Sequence, residues 1–512
     1  KGMPVLTEWH SRNILKKFNY VTWNESIRKI HSDNFDKLKN SFYLKRLIFD
    51  EIMSNFLMSS QIRQKIKKIK KKEKRYNKNI EHKYLKKLNF KLTKDQIRAI
   101  EEINIDLKSK DRMFRLIQGD VGSGKTIVSL ISALNVMSSG YQVVIMVPTE
   151  ILAKQHYKFA SKFFGNDFKI ELLTGKIEYS NKKKIVDNIR LNKLDLIIGT
   201  HALFQKKIYY NNLGLIIIDE QHKFGVNQRQ DLAKKGGTNC DLLLMSATPI
   251  PRTMMMSLYG DMDLSKITEK PAIRKKIITI SKPEKKIKEI FNFLKKNIKN
   301  KNQIFWVCPL IEDSKFLDFS SAKKKFNELE KFFPNIVGLL HGGLEKDEKI
   351  KVLRKFLERK ISILVSTTVI EVGIDFPNAS VIIIENANKF GLSQLHQLRG
   401  RVGRGNKQSY CILVYKSNLS ENAKKRINIL KKTTDGFKIS EEDMKLRGYG
   451  DVLGFKQSGM QSYRLADPVI NEDLFLLAEK EAKNIEIENK NLNNYMPLLK
   501  LYDRADILND II

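Results

Sequence analysis

Two sets of short, β-branched apolar runs separated by helical stretches restrict what this chain can fold into. The first set is RLIQGD, YQVVIMVPT, DLIIGT, LGLIIIDE and DLLLMSAT, within residues 91–281. The second is NQIFWVCPLIE, IVGLLHGG, ISILVSTTV and ASVIIIENA, in a segment that reaches to about residue 420. Continuous apolar runs of this length, alternating with helices, belong to parallel strands covered on both faces by crossover helices. The expected fold class is α/β: two tandem parallel-sheet lobes, 91–281 and 282–420. Residues 1–90 have helical periodicity, as in FDKLKNSFYLKRLIFDEIMSNFLM, and include the basic stretch QKIKKIKKKEKRYNK; they are expected to form a helical linker. Residues 421–512 read as helical with a Gly-rich interruption, LRGYGDVLGFKQSG.

A chain of 512 residues exceeds what one hydrophobic core supports, and 42% hydrophobic residues suffice to build several. The formal charge of +37 points to a polyanionic partner, nucleic acid or an anionic surface. A Lys-, Asn- and Ile-rich composition would also place excess charge on solvated faces, so the location of the lysines decides between these readings. The three cysteines, Cys240, Cys308 and Cys411, have neither disulfide-framework nor zinc-ligand spacing, which suits a reducing, cytoplasmic compartment. No apolar run approaches the ~18 residues of a membrane span, and KGMPVLTEWH lacks a signal core. A start at Lys1 rather than Met is expected of a chain whose upstream residues are missing.

The segment GDVGSGKT, Gly119 to Thr126, lies between an apolar strand and a helix and fits the phosphate-loop pattern in full. Gly119, Gly122 and Gly124 let backbone N–H groups curl round phosphates, and the helix N-terminus adds partial positive charge. Lys125 would reach the β- and γ-phosphates and Thr126 would offer its hydroxyl to Mg²⁺. About 95 residues on, LGLIIIDE brings Asp219 and Glu220 to the carboxyl edge of the sheet, where ligands bind. Asp219 would hold Mg²⁺, and Glu220 would orient and deprotonate an attacking water. His222, in DEQH, would sense the γ-phosphate. The second lobe has no phosphate loop but carries QLHQLRGRVGRG, in which Arg401 and Arg404 flank Gly403. Their guanidinium groups suit either charge stabilisation on a transferring phosphoryl group or an electrostatic patch for nucleic acid.

These residues, in this order, resemble superfamily-two helicases and translocases, whose two RecA-like lobes close on ATP and step along nucleic acid. The resemblance implies that Gln96 of LTKDQ reads adenine and that PTEILAKQH, LLTG and GTH face the nucleic acid strand. It further implies that Ser246 and Thr248 of SATPIPRT couple the lobes, and that Gly373 and Asp375 of STTVIEVGIDFPNA help bind the nucleotide. At closer range GTHALFQ, DEQHKFGVNQRQ, SATPIPRTMMMSLYGDMDLS, HQLRGRVGRG and DGFKISEEDMKLRGYGDVLGFKQSG resemble the RecG family of bacterial DNA helicases, from about Pro4 to about Ala478. That family carries a helical-hairpin translocation element, whose polar positions map onto Arg426, Arg447 and Gln457. It normally begins with an oligonucleotide-binding wedge domain, and no β-rich segment precedes the helical region here. The resemblance implies ATP and Mg²⁺ as cofactors. It implies branched and double-stranded DNA as partners, a single-stranded-DNA-binding protein as another, and a monomeric, bacterial, nucleoid-associated enzyme of recombination and repair. The alternatives are an RNA helicase of the same superfamily and a non-catalytic nucleic-acid-binding scaffold.

Overall fold

A computed structural model describes the chain except residues 1–4, 33–40, 77, 176, 206, 221–236, 248–261, 272–274, 310–314, 368–375, 404, 406, 417–418, 448–462, 469, 489–491 and 504–512. The first lobe is a seven-stranded parallel sheet. Its strands are β1 (Phe114–Gly119), β2 (Gln142–Met146), β3 (Ile170–Leu173), β4 (Leu196–Gly199), β5 (Leu213–Ile218), β6 (Asp241–Ser246) and β7 (Asp263–Ile267). They lie in the order β3-β4-β2-β5-β6-β1-β7. The second lobe is a six-stranded parallel sheet of β8 (Ile278–Pro283), β9 (Gln303–Val307), β10 (Val337–Leu340), β11 (Ile363–Ser366), β12 (Ala379–Ile384) and β13 (Tyr410–Tyr415), in the order β10-β11-β9-β12-β13-β8.

Every residue of the central strands β2, β4, β5, β6, β9, β11 and β12 is buried, as sheets with helices on both faces require. Separate apolar clusters cover the two faces of each sheet. Strands β3, β7 and β8 are edge strands with largely half-buried residues, so they lack the apolar runs by which the others are recognised. Because β8 pairs along its whole length with β13, the second lobe begins at or before Ile278, and the expected division after Ser281 falls inside a strand.

The N-terminal region is not a spacer. Helices Trp23–Ser32 and Phe42–Lys68 share a core with the C-terminal helices Glu472–Ile487 and Met496–Leu501, built on Trp9, Phe49, Ile52, Phe475 and Leu498. Asp50, fully buried, ties this module together: it accepts from Trp9 Nε1 (3.0 Å) and meets His10 Nε2 (2.8 Å) and Arg46 (3.3 Å). Beside it the buried Glu51 carboxylate accepts from the backbone N–H groups of Arg464, Leu465 and Ala466. Helix Lys78–Lys86 instead packs on the first lobe, where Tyr84 is buried against Phe163 and Phe164 and donates to Asp167 (2.6 Å). The C-terminal region divides likewise. Helices Glu421–Lys432 and Gly436–Arg447 form a hairpin on the second lobe, with Ile427, Leu430 and Ile439 in its core. Among the described residues no helix is long and apolar enough to cross a membrane.

Two lysines of the basic stretch are not available to a polyanion. Lys71 and Lys74 are buried, and both contact Asp241 Oδ2, at 2.8 and 2.7 Å. Asp241 Oδ1 accepts from the backbone of Met113 at 2.7 Å. Burial is the largest influence on Lys71 and holds its pKa below the usual lysine value, with Asp241 opposing the shift. Asp241→Ala would leave two ammonium groups buried without their carboxylate. It is expected to destabilise the fold by about 3–5 kcal/mol, measured as a lowered urea midpoint; a shift no larger than that of a surface substitution would show that the pair is solvated.

Candidate active site

Strand β1 delivers the chain to Gly119, and helix Lys125–Met137 begins after the loop. Gly122 and Gly124 have φ of 77° and 87°, a left-handed backbone that side-chain-bearing residues avoid, and a Cβ on Gly124 would collide with the Gln96 amide. Lys125 Nζ donates to the carbonyls of Gly119 (2.7 Å) and Asp120 (3.0 Å), holding its charge inside the loop. Thr126 follows in the first helical turn, half-buried. The buried Gln96 completes a capping box with Thr93 and donates through Nε2 to the carbonyl of Ser123 at 2.7 Å. One end of its amide thus caps its own helix while the other braces the loop.

Asp219 stands at the end of β5, two sheet positions from β1, where the order β5-β6-β1 brings its carboxyl edge beside the loop. Its backbone N–H donates to Met146 (2.9 Å), its Oδ1 accepts from Glu220 N (3.0 Å), and its Oδ2 lies 3.2 Å from His156 Nε2. Burial pushes the Asp219 pKa up, while His156, Lys125 and the Glu220 amide push it down further and leave it below the ordinary carboxylate value. Glu220 is buried at φ 54°, a strained conformation for a residue with a side chain. Ser246 ends β6, buried and in register with Gln118 of β1.

The second lobe meets the loop from the other side. Helix Leu392–Arg399 ends at Gly400, which packs so closely on Val121 that a Cβ there would lie 3.1 Å from the valine Cβ. His396 Nε2 is 2.7 Å from Asp120 Oδ1, and Lys270 Nζ is 2.7 Å from Asp120 Oδ2. Arg401, buried, follows directly on Gly400, the residue that packs on Val121 of the loop. Arg426, placed by resemblance in the translocation element, donates to the carbonyls of Phe390 (2.7 Å) and Asn388 (3.2 Å), fastening the hairpin to the turn before that helix. Asp443 caps the same helix, accepting from Leu392 N, Ser393 N and Ser393 Oγ. His222, Thr248, Gly373, Asp375, Arg404 and Gln457, and the side chain of Arg447, lie outside the described residues.

Within PTEILAKQH, expected to face a nucleic acid strand, His156 turns inward to Asp219. It lies on the buried stripe of helix Glu150–Phe164, with Leu152, Ala160 and Phe164 at four-residue spacing, and that stripe was the available signal. Asp120, Lys270 and His396 were also passed over, because their contacts join segments far apart in sequence.

Family profiles match in the same arrangement: DEAD/DEAH box helicase over 93–257, helicase conserved C-terminal domain over 285–406, and "ATP-dependent DNA helicase RecG, domain 3, C-terminal" over 433–498. The ATP-dependent DNA helicase RecG of Streptococcus pneumoniae is 42% identical over 485 residues, covering 94% of this chain and 71% of the relative. The chain belongs to the RecG family. RecG of Aquifex aeolicus is 45% identical over 505 residues, 95% of this chain and 63% of the relative. A solved structure of RecG bound to a three-way DNA junction superposes with a TM-score of 0.74 at 39% identity, covering 92% of this chain and 62% of that one. The chain thus spans somewhat over three fifths of the length of these two relatives. Yeast Dbp5 bound to RNA, 18% identical with a TM-score of 0.52 over 72% of this chain and 96% of that one, shares the fold.

Within this RecG-family site, the lowered Asp219 pKa has a definite pH signature. A carboxylate held below its unfolded pKa of about 3.9 contributes stability that is fully present above that value and is lost as pH falls through the folded pKa. Removing His156 removes the strongest downward influence. His156→Ala is therefore expected to be less stable than the parent at neutral pH, with the difference shrinking below about pH 4. Urea unfolding across that range measures it, and a pH-independent difference would assign His156 to packing alone.

Proposed function

We propose that this chain is the motor of an ATP-dependent DNA helicase and translocase that remodels branched DNA, such as stalled forks and Holliday junctions, in recombination and repair. The observation that carries the reading is the approach of the second lobe's arginine segment to the phosphate loop of the first, next to the edge that holds Asp219 and Glu220. The relative solved on a three-way junction supports a branched substrate. The match to the RecG C-terminal profile favours DNA over the RNA-helicase alternative, because it covers the segment by which this family differs from other members of the superfamily.

The site suits a nucleotide triphosphate. Lys125, which donates to two loop carbonyls, exchanges them for the β- and γ-phosphates, while the glycine loop and helix N-terminus supply N–H donors. Gln96, already braced to the loop, reads the base. An ionised Asp219 and the half-buried Thr126 hydroxyl form an oxygen donor set suited to Mg²⁺, which neutralises charge between the phosphates when bound. Glu220 orients and deprotonates the attacking water, its strained backbone fixing the carboxylate. Arg401 and Arg404 stabilise charge on the transferring phosphoryl group. His222 senses the γ-phosphate, Ser246 and Thr248 couple the lobes, and Gly373 and Asp375 complete the nucleotide site. Arg426, Arg447 and Gln457 serve translocation, and for Arg426 that means holding the hairpin on the arginine helix. We further propose a monomer that works in the bacterial cytoplasm at the nucleoid, with a single-stranded-DNA-binding protein as a partner. The two parallel-sheet lobes serve as the motor, and the hairpin of helices Glu421–Lys432 and Gly436–Arg447 serves as the start of the translocation element.

Lys125→Ala is expected to abolish tight Mg-ATP binding, whereas Glu220→Gln keeps binding and stalls hydrolysis, because the carboxylate acts only as the bond breaks. Equal loss of nucleotide affinity in both would contradict the assignment. Arg401→Ala should lower turnover on the order of 10³-fold with far less change in affinity; turnover at the parental rate would make Arg401 a strand contact.

The function as a whole is tested by comparing ATP turnover with branched DNA, linear duplex and RNA, and by displacement of a triplex-forming strand, which reports translocation without junction splitting. Stimulation by RNA alone would favour the alternative, and absence of turnover would favour a scaffold.

A further inference from the structure

The contact between His396 and Asp120 continues beyond the two lobes. Arg399, fully buried, donates through Nη1 to the carbonyls of Leu430 (2.7 Å) and Thr433 (2.9 Å), where helix Glu421–Lys432 ends and its carbonyls lack helical partners. Through Nη2 it reaches His396 Nδ1 at 2.8 Å. A guanidinium only donates, so Nδ1 must accept, and the ring is neutral with its proton on Nε2. That proton points at Asp120 Oδ1, which also accepts from Val121 N at 2.7 Å. A second path runs in parallel: Lys270, against the other oxygen of Asp120, donates to the carbonyl of Thr434 at 3.1 Å. Both paths leave one carboxylate of the phosphate loop and end in one turn of the hairpin, at residues 433–434.

Resting on the reading of the chain as a DNA-stimulated ATPase, we propose that Asp120, His396, Arg399 and Lys270 are positioning residues that tie the phosphate loop to this turn, so that displacement of the hairpin by DNA changes the loop's geometry and hence turnover. The physical reason is that Asp120 is buried while its pKa is held below the ordinary carboxylate value. Its partners come entirely from its own loop, from Lys270 beyond the first sheet and from the second lobe, so separation of the lobes withdraws a donor that water replaces poorly. By reciprocity, whatever nucleotide binding does to the loop is felt at the turn.

The test compares ATP turnover with and without saturating duplex DNA, and amide exchange over residues 119–125, in the parent, His396→Ala, His396→Gln, Asp120→Ala and the Asp120→Ala/His396→Ala pair. His396→Ala should lower DNA-stimulated kcat about tenfold, the scale of one lost hydrogen bond to a charged group, while KM for ATP moves less than kcat. The glutamine, whose amide N–H replaces Nε2–H, should restore part of the loss, and the pair should fall no further than its worse member. Loop amides should exchange faster in His396→Ala. Parental stimulation in His396→Ala, multiplicative losses in the pair, or an equal loss in the alanine and the glutamine would overturn the proposal. If an alanine variant does not fold, Arg399→Lys, which keeps the charge but not the fork, replaces it with the same expectations. A parent chain that hydrolyses no ATP would overturn the function proposed above, and the exchange of loop amides in parent and variant would still decide whether the tether exists.

Discussion

Burial of parallel sheets on both faces is the constraint from which the rest of this structure follows. Their backbone groups can be satisfied only along the ladder, and the connections have to cross over, most often through a helix. The loops that leave the carboxyl ends are the places where such a sheet can bind a ligand. In the first lobe those ends carry the phosphate loop after β1 and the Asp219–Glu220 pair after β5, brought close by the strand order although far apart in sequence. In the second lobe they carry no phosphate loop, and helix Leu392–Arg399 is aimed across the gap. The first lobe carries the loop and the carboxylate pair, and the second lobe meets that loop through His396 and Gly400.

Much of this was legible because the physics is local. A glycine loop between a strand and a helix, a carboxylate pair after an apolar run and strands with continuous burial are all written in adjacent residues. Edge strands β3, β7 and β8 were not found, since half their surface meets solvent and their sequences need not be apolar. β13 is different: YCILVY is a buried run that sequence pattern could have caught. Partners of site residues were the least legible. His156, Asp120 and His396 are recognisable as polar residues within motifs, but which carboxylate or ring each one meets depends on the packing of separate segments.

The charge reading illustrates the same divide. A run of lysines looks like a surface for a polyanion. Lys71 and Lys74 nevertheless go inward to Asp241, because the segment after helix Phe42–Lys68 has to dock on the first lobe and can bury its amines only against a carboxylate. Net charge therefore overstates the exposed positive charge, and by an amount that composition does not reveal.

The two ends of the chain give the hairpin its mechanical setting. Its first helix is fixed to the second lobe by Arg426 and by the carbonyls that Arg399 collects, and its second by Asp443 at the cap of the arginine helix. The chain that leaves the hairpin at Arg447 is gripped again at Arg464–Ala466 by Glu51, which belongs to the N-terminal helix Phe42–Lys68. A carboxylate that accepts from three successive backbone N–H groups resists sliding in any direction, because a shift along the chain breaks more than one charge-assisted bond. The N-terminal helices are thus a fixed support for the segment beyond the hairpin. The first lobe is bound to the same support through Lys71 and Lys74, so the N-terminal helices connect it to the chain that follows the hairpin.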